Sequence, residues 1–180
     1  MSKPVIWIAL CATAATVLFV NGCGSAGHAR VVSPATPAQQ SVLLDRVKQL
    51  EGEWAMLDES GNRQPGVVYK VTSAGSSVRE VMFPGSEHEM TNVYHMDGPT
   101  LVMTHYCAQG NQPRMRAEAG SPDRIDFEFD SVTNLRSADD EYMGEMSLIM
   151  KDHDHLRQEW RSLKKGKASS HAEFDLVRVK

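Results

Sequence analysis

Leu50-Glu51-Gly52-Glu53-Trp54 marks the point at which the sequence pattern of this chain changes. From residue 38 to residue 50, the apolar positions recur at helical spacing: Val42, Leu43, Val47 and Leu50. This spacing predicts one short amphipathic helix that ends near Gly52. Beyond Trp54, short runs of alternating or β-branched residues are separated by clusters of Gly, Pro, Asn and Asp, a pattern typical of strands and tight turns. The chain is therefore predicted to be all-β after a single helix.

About ten such runs follow the helix. They lie near residues 52–58, 66–73, 77–83, 88–96, 100–107, 113–119, 124–130, 142–151, 155–163 and 171–179. Ile125, Phe127 and Phe129 alternate with acidic residues, which indicates a strand with one buried face. Asp97-Gly98-Pro99 predicts the sharpest turn, because Gly98 can adopt the left-handed backbone conformation of a tight hairpin.

Sequential hairpins leave two sheet edges unpaired, and closing the sheet on itself removes both edges. We therefore expect a closed up-and-down antiparallel β-barrel of about 8–10 strands, with a two-sheet sandwich as the alternative. A barrel of this size either fills with side chains or holds one small ligand. We expect a hollow and mostly apolar centre.

Gly52-Glu53-Trp54 follows a helix and opens the first strand, and in this position it resembles the Gly-x-Trp start of the calycin superfamily, which includes lipocalins. In those barrels the Trp closes the bottom of the barrel, and an Arg from a late strand packs across it. The resemblance assigns these roles to Trp54 and to Arg178, with Arg161 as the second choice for the Arg. It covers roughly residues 45–180 and implies a lipocalin-like domain over 38–180.

The stretch 104–115 (THYCAQGNQPRM) more specifically resembles a block of bacterial lipocalin-like proteins, often exported, that bring a fold but no established reaction. Two departures from better-known barrels matter. Arg178-Val179-Lys180 lacks the Tyr of the Arg-x-Tyr with which fatty-acid-binding proteins hold a carboxylate. Ala55-Met56-Leu57-Asp58 lacks the glycines of haem-binding barrels, so we expect no cofactor.

The first 22 residues have the layout of a secretory signal. Lys3 precedes an apolar run from Val5 to Val20, and small polar residues follow Cys23. Val20-Asn21-Gly22-Cys23 resembles the lipobox of bacterial lipoproteins, from which Asn21 departs. We expect a lipoprotein signal peptide over 1–22, lipidation at Cys23 and a flexible tether over 23–37. A soluble exported protein and an uncleaved membrane anchor are the alternatives.

The predicted compartment is the periplasmic side of a bacterial membrane. The residue after Cys23 is Gly24 rather than Asp, which in lipoproteins of two-membrane bacteria implies the outer membrane. A formal net charge of −4 and the lack of a basic stripe make nucleic acid an unexpected partner. With Cys11 in the signal and Cys23 lipidated, Cys107 has no disulfide partner, and we expect a monomer.

The candidate ligand-binding residues cluster around the end of the fifth run. His105 and Cys107 are two positions apart and therefore share one face of a strand. The candidate set is Tyr94, His105, Cys107, Asn111, Gln112 and Arg114. A few polar groups in an apolar pocket are typical of a ligand site, so we expect non-catalytic binding of a small apolar or amphipathic molecule. The alternative is that the loop side chains only tie down the backbone.

Two other functions stay open. Cys107 with His105 as base would form a thiol enzyme or redox protein, but no oxyanion motif accompanies the pair, so no catalytic residue is predicted. The chain could also be an envelope lipoprotein whose outer surface binds another protein. Asp152-His153-Asp154-His155 contains metal-binding residue types, yet it lies between two predicted strands, where an Asp-rich turn is expected, and we predict no metal site.

Overall fold

The computed structural model describes residues 29–58 and 60–180. The predicted signal peptide, Cys11 and the predicted lipidation site Cys23 lie outside these residues. The chain divides into two units, Met1–Val31 and Val32–Lys180. The described residues of the first unit, 29–31, are exposed and without regular structure. No helix in the described part of the chain has the length and hydropathy needed to cross a bilayer.

The predicted helical segment consists of two short helices, α1 (Pro37–Val42) and α2 (Leu44–Lys48). Thr36 caps α1: its hydroxyl accepts a hydrogen bond from the Gln39 backbone N–H, and the Gln39 side chain accepts one from the Thr36 N–H. Such a reciprocal cap stabilises a helix start. The two helices are separated at Leu43, whose φ of −120° and ψ of −92° are not helical.

Ten strands follow the helices. They are β1 (Gly52–Leu57), β2 (Arg63–Thr72), β3 (Ser77–Met82), β4 (Met90–Asp97), β5 (Thr100–Tyr106), β6 (Gln112–Ala117), β7 (Arg124–Thr133), β8 (Glu141–Met150), β9 (His155–Lys164) and β10 (Lys167–Arg178). Each pairs antiparallel with its neighbours in the chain, and β1 pairs with β10. The predicted closed up-and-down barrel is therefore confirmed. Gly98, in the tight β4–β5 turn, has the predicted positive φ of 62°.

The two ends of the barrel differ. The helix end carries α2, which packs against β2, β3 and β4, and Arg46 of α2 donates to the Ser121 carbonyl between β6 and β7. Leu44 and Val47 of α2 are buried there. The opposite end, here called the loop end, carries five connections between strands, at residues 58–62, 83–89, 107–111, 134–140 and 165–166. Of the described residues, α2 covers one end of the barrel, and no helix covers the loop end.

The helix end is closed by Trp54, which is 2 % exposed. The Arg178 guanidinium carbon lies 4.3 Å from the Trp54 ring centroid, the packing that the calycin resemblance implies. Arg178 also donates to the carbonyl oxygens of Gln49, Glu51 and His153 at 2.9–3.1 Å. Gly52 has a φ of +123°, a conformation that side-chain-bearing residues rarely adopt. Arg178 therefore joins the last strand to the helix end.

Three of the strand ladders have four or fewer paired positions, and one of them, β5–β6, joins strands of only seven and six residues. β1 and β10 share three paired positions. β7 and β8 share four, from Arg124–Ile149 to Phe127–Met146, although each strand has ten residues. Towards the loop end, β7 continues beside β6, and β8 continues beside β9. Phe129 and Tyr142 face each other across the resulting gap, with ring centroids 5.1 Å apart.

Candidate functional site

The centre of the barrel holds a buried carboxyl group. On β3 the alternation of Val78, Glu80 and Met82 places Glu80 on the inner face, where it is 0 % exposed. Its oxygens accept hydrogen bonds from Asn92 Nδ2 at 2.7 Å, Tyr94 Oη at 2.5 Å and Gln158 Nε2 at 2.6 Å. Each of these partners is a donor, which is the arrangement that the ionised carboxylate requires.

Gln158 carries the polar network across the barrel. It lies on β9, yet its Nε2 also donates to the Tyr69 hydroxyl on β2 at 2.7 Å, and its Oε1 accepts from Trp160 Nε1 at 3.0 Å. Direct bonds between opposite walls leave no room for a ligand in this cross-section. The expectation of a hollow, mostly apolar centre is therefore wrong at this level. Large side chains fill the barrel here, and several of them are polar.

The network contains a buried carboxyl group without a buried cation among the described residues. Burial raises the pKa of Glu80, and its hydrogen bonds to Tyr94, Asn92 and Gln158 oppose that rise. Burial and the neighbouring carboxylate raise the pKa values of Tyr69 and Tyr94 well above 10, so both phenols stay protonated. No Lys or Arg is found among the buried polar residues of the described chain. Glu80 is thus stabilised by hydrogen bonds alone.

His105 continues the network onto β5, where it is paired in register with Asn92 of β4. Its Nδ1 lies 2.7 Å from Asn92 Oδ1, and an amide oxygen can only accept, so Nδ1 carries the proton. Burial lowers the pKa of His105 to about 4, and the ring is therefore neutral near pH 7. Nε2 is then an acceptor, and it has no hydrogen-bond partner among the described residues. The His105 and Trp160 ring centroids lie 5.1 Å apart.

The loop-end half of the barrel, between this network and the loops, is lined by apolar side chains that are only partly buried. They are Met56, Phe83, Met90, Met143, Ala172 and Phe174. Phe83 and Phe174 form an edge-to-face contact with ring centroids 5.5 Å apart. Thioether side chains are flexible and fill irregular space, so this lining can adapt to an inserted molecule.

Polar groups form the rim of the loop-end half. Cys107 is partly buried and lines a small pocket of about 40 Å³ together with Tyr142, Ser162 and Ser170. The volume is close to that of a single water molecule in the liquid, about 30 Å³. Beside this pocket, Glu141 Oε1 accepts hydrogen bonds at 2.5–2.9 Å from the hydroxyls of Ser162, Ser169 and Ser170. These hydrogen bonds lower the pKa of Glu141 to about 2.

Asn111 occupies the same rim. Its Nδ2 donates to the Glu141 carbonyl at 3.1 Å, whereas its Oδ1 is buried without a partner among the described residues. The residue is 4 % exposed and lines a polar pocket of about 180 Å³, whose wall includes Asn134, Arg136 and Asp140. The rim therefore has a second buried acceptor atom in addition to His105 Nε2.

The structure separates the six candidate ligand-binding residues into three groups. Tyr94 and His105 lie inside the barrel, and Cys107 and Asn111 lie at the rim. The other two are tied to local partners. Gln112 bonds the Gly110 carbonyl and the Thr133 hydroxyl, and Arg114 lies outside, paired with Asp97 at 3.5 Å and Asp130 at 3.2 Å. The sequence-based set omitted Glu80, Asn92 and Gln158.

The outer wall has a larger depression, about 700 Å³, across β7 to β10. Most of its lining is charged and outward-facing, and the charges have both signs: Arg124, Asp126, Glu128, Glu145, Glu159 and Arg161. Several of these form ion pairs with one another, such as Arg161 with Glu145 at 2.8 Å. Solvated, mutually paired charges offer little that favours a small partly apolar molecule.

The thiol chemistry considered from sequence has no assembled site. His105 and Cys107 do share the inner face, but His105 Nε2 makes no hydrogen bond to the thiol, and Nδ1 is engaged by Asn92. The described residues contain no group of three or more His, Cys, Asp or Glu side chains that could hold a metal ion. In the β8–β9 turn, Asp152 accepts hydrogen bonds from the backbone N–H groups of Asp154 and His155.

The chain matches no protein-family model and no curated protein. The closed ten-strand barrel is compatible with a lipocalin-like fold. The arguments for function below therefore depend on the geometry of this barrel.

Proposed function

We propose that this protein binds a small, partly apolar molecule in the loop-end half of its barrel and performs no catalysis. The observation that carries the proposal is His105 Nε2, a buried acceptor that has no partner among the described residues, inside an otherwise bonded network. An unsatisfied buried polar atom costs about 1–3 kcal/mol. A bound molecule that donates to Nε2 would recover part of that cost.

The lining of the loop-end half supports the same proposal. Its methionines and phenylalanines supply apolar contact, while His105, Asn111 and Cys107 supply a few polar groups. This mixture is typical of sites for small molecules. Because the central network fills the barrel below, the molecule would be held between the network and the loops, where the lining is adaptable.

A probe that needs no hydrogen-bond donor tests the site itself. Nile red added to the full chain is expected to bind and to become fluorescent in the apolar loop-end half. Met90→Trp would fill that half and is expected to abolish binding. Thr91→Trp is the matched control, because Thr91 is the next residue of β4 and points to the opposite face.

Native mass spectrometry of protein purified from its own host provides a second readout, in which a bound small molecule is expected. Equal Nile red binding by Met90→Trp and the unmodified chain would place the site elsewhere. Failure of Nile red to bind, together with no bound molecule in native spectra, would refute the proposal.

We further propose that the protein is exported and held as a monomer on the periplasmic side of a bacterial membrane, the outer one, through lipid on Cys23. The basic start, the apolar run and the Gly22-Cys23 pair support this placement. Labelling with an alkyne analogue of palmitate is expected to mark the unmodified chain and Cys107→Ser, but not Cys23→Ser. An unlabelled chain in the soluble fraction would contradict lipid anchoring.

A further inference from the structure

We infer that the molecule bound in the loop-end half is a neutral hydrogen-bond donor, such as an alcohol, phenol or amide, and that carboxylates and other anions are rejected. This inference rests on the proposed function and names its ligand class. The inference follows from two observations. The first is which polar atoms in this part of the barrel have no partner among the described residues, and the second is the acidic side chains that lie near them.

Two buried polar atoms in this part of the barrel have no hydrogen-bond partner among the described residues, and both are acceptors. His105 is neutral near pH 7, and its single ring proton lies on Nδ1, where it bonds Asn92, so Nε2 is an acceptor. Asn111 Oδ1 is an acceptor because its Nδ2 is oriented by the Glu141 carbonyl. In the described part of the chain, the other two buried side-chain atoms without a hydrogen bond are Arg114 Nε and Arg157 Nε, which lie on the outer wall in ion pairs with Asp130 and Glu159. A ligand that only accepts hydrogen bonds would therefore leave both His105 Nε2, inside the barrel, and Asn111 Oδ1, at its rim, unsatisfied.

The inner donors are already in use. Asn92, Tyr94 and Gln158 all donate to Glu80, and Trp160 Nε1 donates to Gln158. A carboxylate ligand would have to take a donor from the Glu80 carboxyl group. Because an ionised group loses its hydration on burial, such a ligand would need a replacement for those bonds.

The electrostatic environment also disfavours anions. Glu80 lies beneath the site and Glu141 lies on its rim, and no Lys or Arg is found among the buried polar residues of the described chain. Arg136, which lines the pocket beside Asn111, is exposed to solvent. Arg178, which lies over Trp54 at the helix end, donates hydrogen bonds to three backbone carbonyl oxygens there. A ligand carboxylate would thus approach the acidic side chains Glu80 and Glu141, with no buried counter-ion among the described residues.

Three naphthalenes of matched shape test the inference by calorimetry on the full chain near neutral pH. They are 2-naphthol, which donates; 2-methoxynaphthalene, which only accepts; and 2-naphthoate, which is an anion. One added hydrogen bond is expected to make 2-naphthol bind about tenfold more tightly than 2-methoxynaphthalene. 2-Naphthoate is expected to bind more weakly than either neutral compound.

His105→Asn identifies the acceptor, because an Asn amide N–H can replace the Nδ1 donor to Asn92 while Nε2 is lost. In this variant the preference for 2-naphthol over 2-methoxynaphthalene is expected to shrink towards unity. Arg161→Gln, a change on the outer face, is the control that should keep the preference. If His105→Asn does not fold, the comparison of the three compounds on the unmodified chain still decides the inference.

The outcomes separate the two proposals. Equal binding of 2-naphthol and 2-methoxynaphthalene, or 2-naphthoate binding as tightly as 2-naphthol, would overturn the inferred ligand class and leave the binding function intact. Absence of binding by all three compounds and by Nile red would instead refute the binding function. A crystal structure with 2-naphthol in which His105 Nε2 bonds only a water molecule would also overturn the ligand class.

Discussion

Acidification is expected to destabilise the barrel through His105. The side chain is 1 % exposed, and burial lowers its pKa from 6.5 to about 4. In the unfolded chain the imidazole is hydrated and takes up a proton near pH 6.5. Between these two pH values the unfolded state therefore binds more protons than the folded state. The contribution of His105 to the free energy of unfolding is complete above about pH 6.5 and is lost as the pH falls towards about 4.

The size of the effect follows from the distance between the two pKa values. The interval from 6.5 to about 4 corresponds to about 3 kcal/mol. That is a large share of the roughly 5–15 kcal/mol by which domains are usually stable. Glu80 acts in the opposite direction, because a carboxyl whose pKa is raised on folding favours the folded state as the pH falls. A variant is therefore needed to isolate His105.

Urea unfolding followed by tryptophan fluorescence, at about pH 7.5 and about pH 4.5, measures the effect. The unmodified chain is expected to lose at least about 2 kcal/mol more on acidification than His105→Asn, which has no imidazole at this site. His171→Asn removes an exposed histidine of β10 and should behave like the unmodified chain. An equal loss in His105→Asn and the unmodified chain would refute the assignment of the effect to His105.

Three further predictions concern the barrel walls and rim. Arg178→Ala should lower the free energy of unfolding by about 2–3 kcal/mol, from a lost cation–π contact and lost hydrogen bonds, and Arg178→Lys should restore only part of it. Gly66→Ala should cost about 1–3 kcal/mol, because its Cβ would lie 2.6 Å from the Trp54 carbonyl oxygen, whereas Gly120→Ala meets open space and should be nearly neutral in the same urea assay. Alkylation of Cys107, followed on its tryptic peptide, should slow when 2-naphthol is bound; an unchanged rate would argue against a ligand near this rim.

The strand order of the barrel was accessible from sequence because hairpins join neighbours in chain order. Alternation located the ten strands, and the differences lie at their ends. β10 begins at Lys167, whereas the pattern predicted a start near 171. Residues 167–170 are all exposed and lack large apolar side chains, so they show no alternation, and their pairing is set by the hairpin at 165–166. The alternation of apolar residues within one segment does not reveal pairing that depends on a neighbouring strand.

The division of the helix was not visible in the sequence. Leu43, Leu44 and Val47 are all buried, and they would follow the same spacing in a continuous helix. The break at Leu43 is a property of its backbone angles, to which the periodicity of apolar residues is insensitive.

The inner network was predictable only in part. Position on a strand shows that Glu80 and Gln158 point inwards, because each lies between buried apolar residues of the same parity: Val78 and Met82, and Leu156 and Trp160. The same reasoning applied to β6 places Arg114 outside, between inward Pro113 and Met115. The sequence does not show which inward residues meet across the barrel. Gln158 and Glu80 are 78 positions apart, and their contact depends on strand tilt and stagger that no local pattern encodes.

Two of the three ladders with four or fewer pairs, β1–β10 and β7–β8, separate a panel of three strands from the rest of the wall, and Gln158 bonds that panel to the opposite wall. β8, β9 and β10 form a three-strand panel bounded by the four pairs to β7 and the three pairs to β1. Gln158 joins that panel across the interior to Tyr69 and Glu80. Local opening of the wall is therefore expected to begin at the β1–β10 and β7–β8 ladders. Loss of the Gln158 hydrogen bonds should let the β8–β10 panel separate before the remaining sheet unfolds.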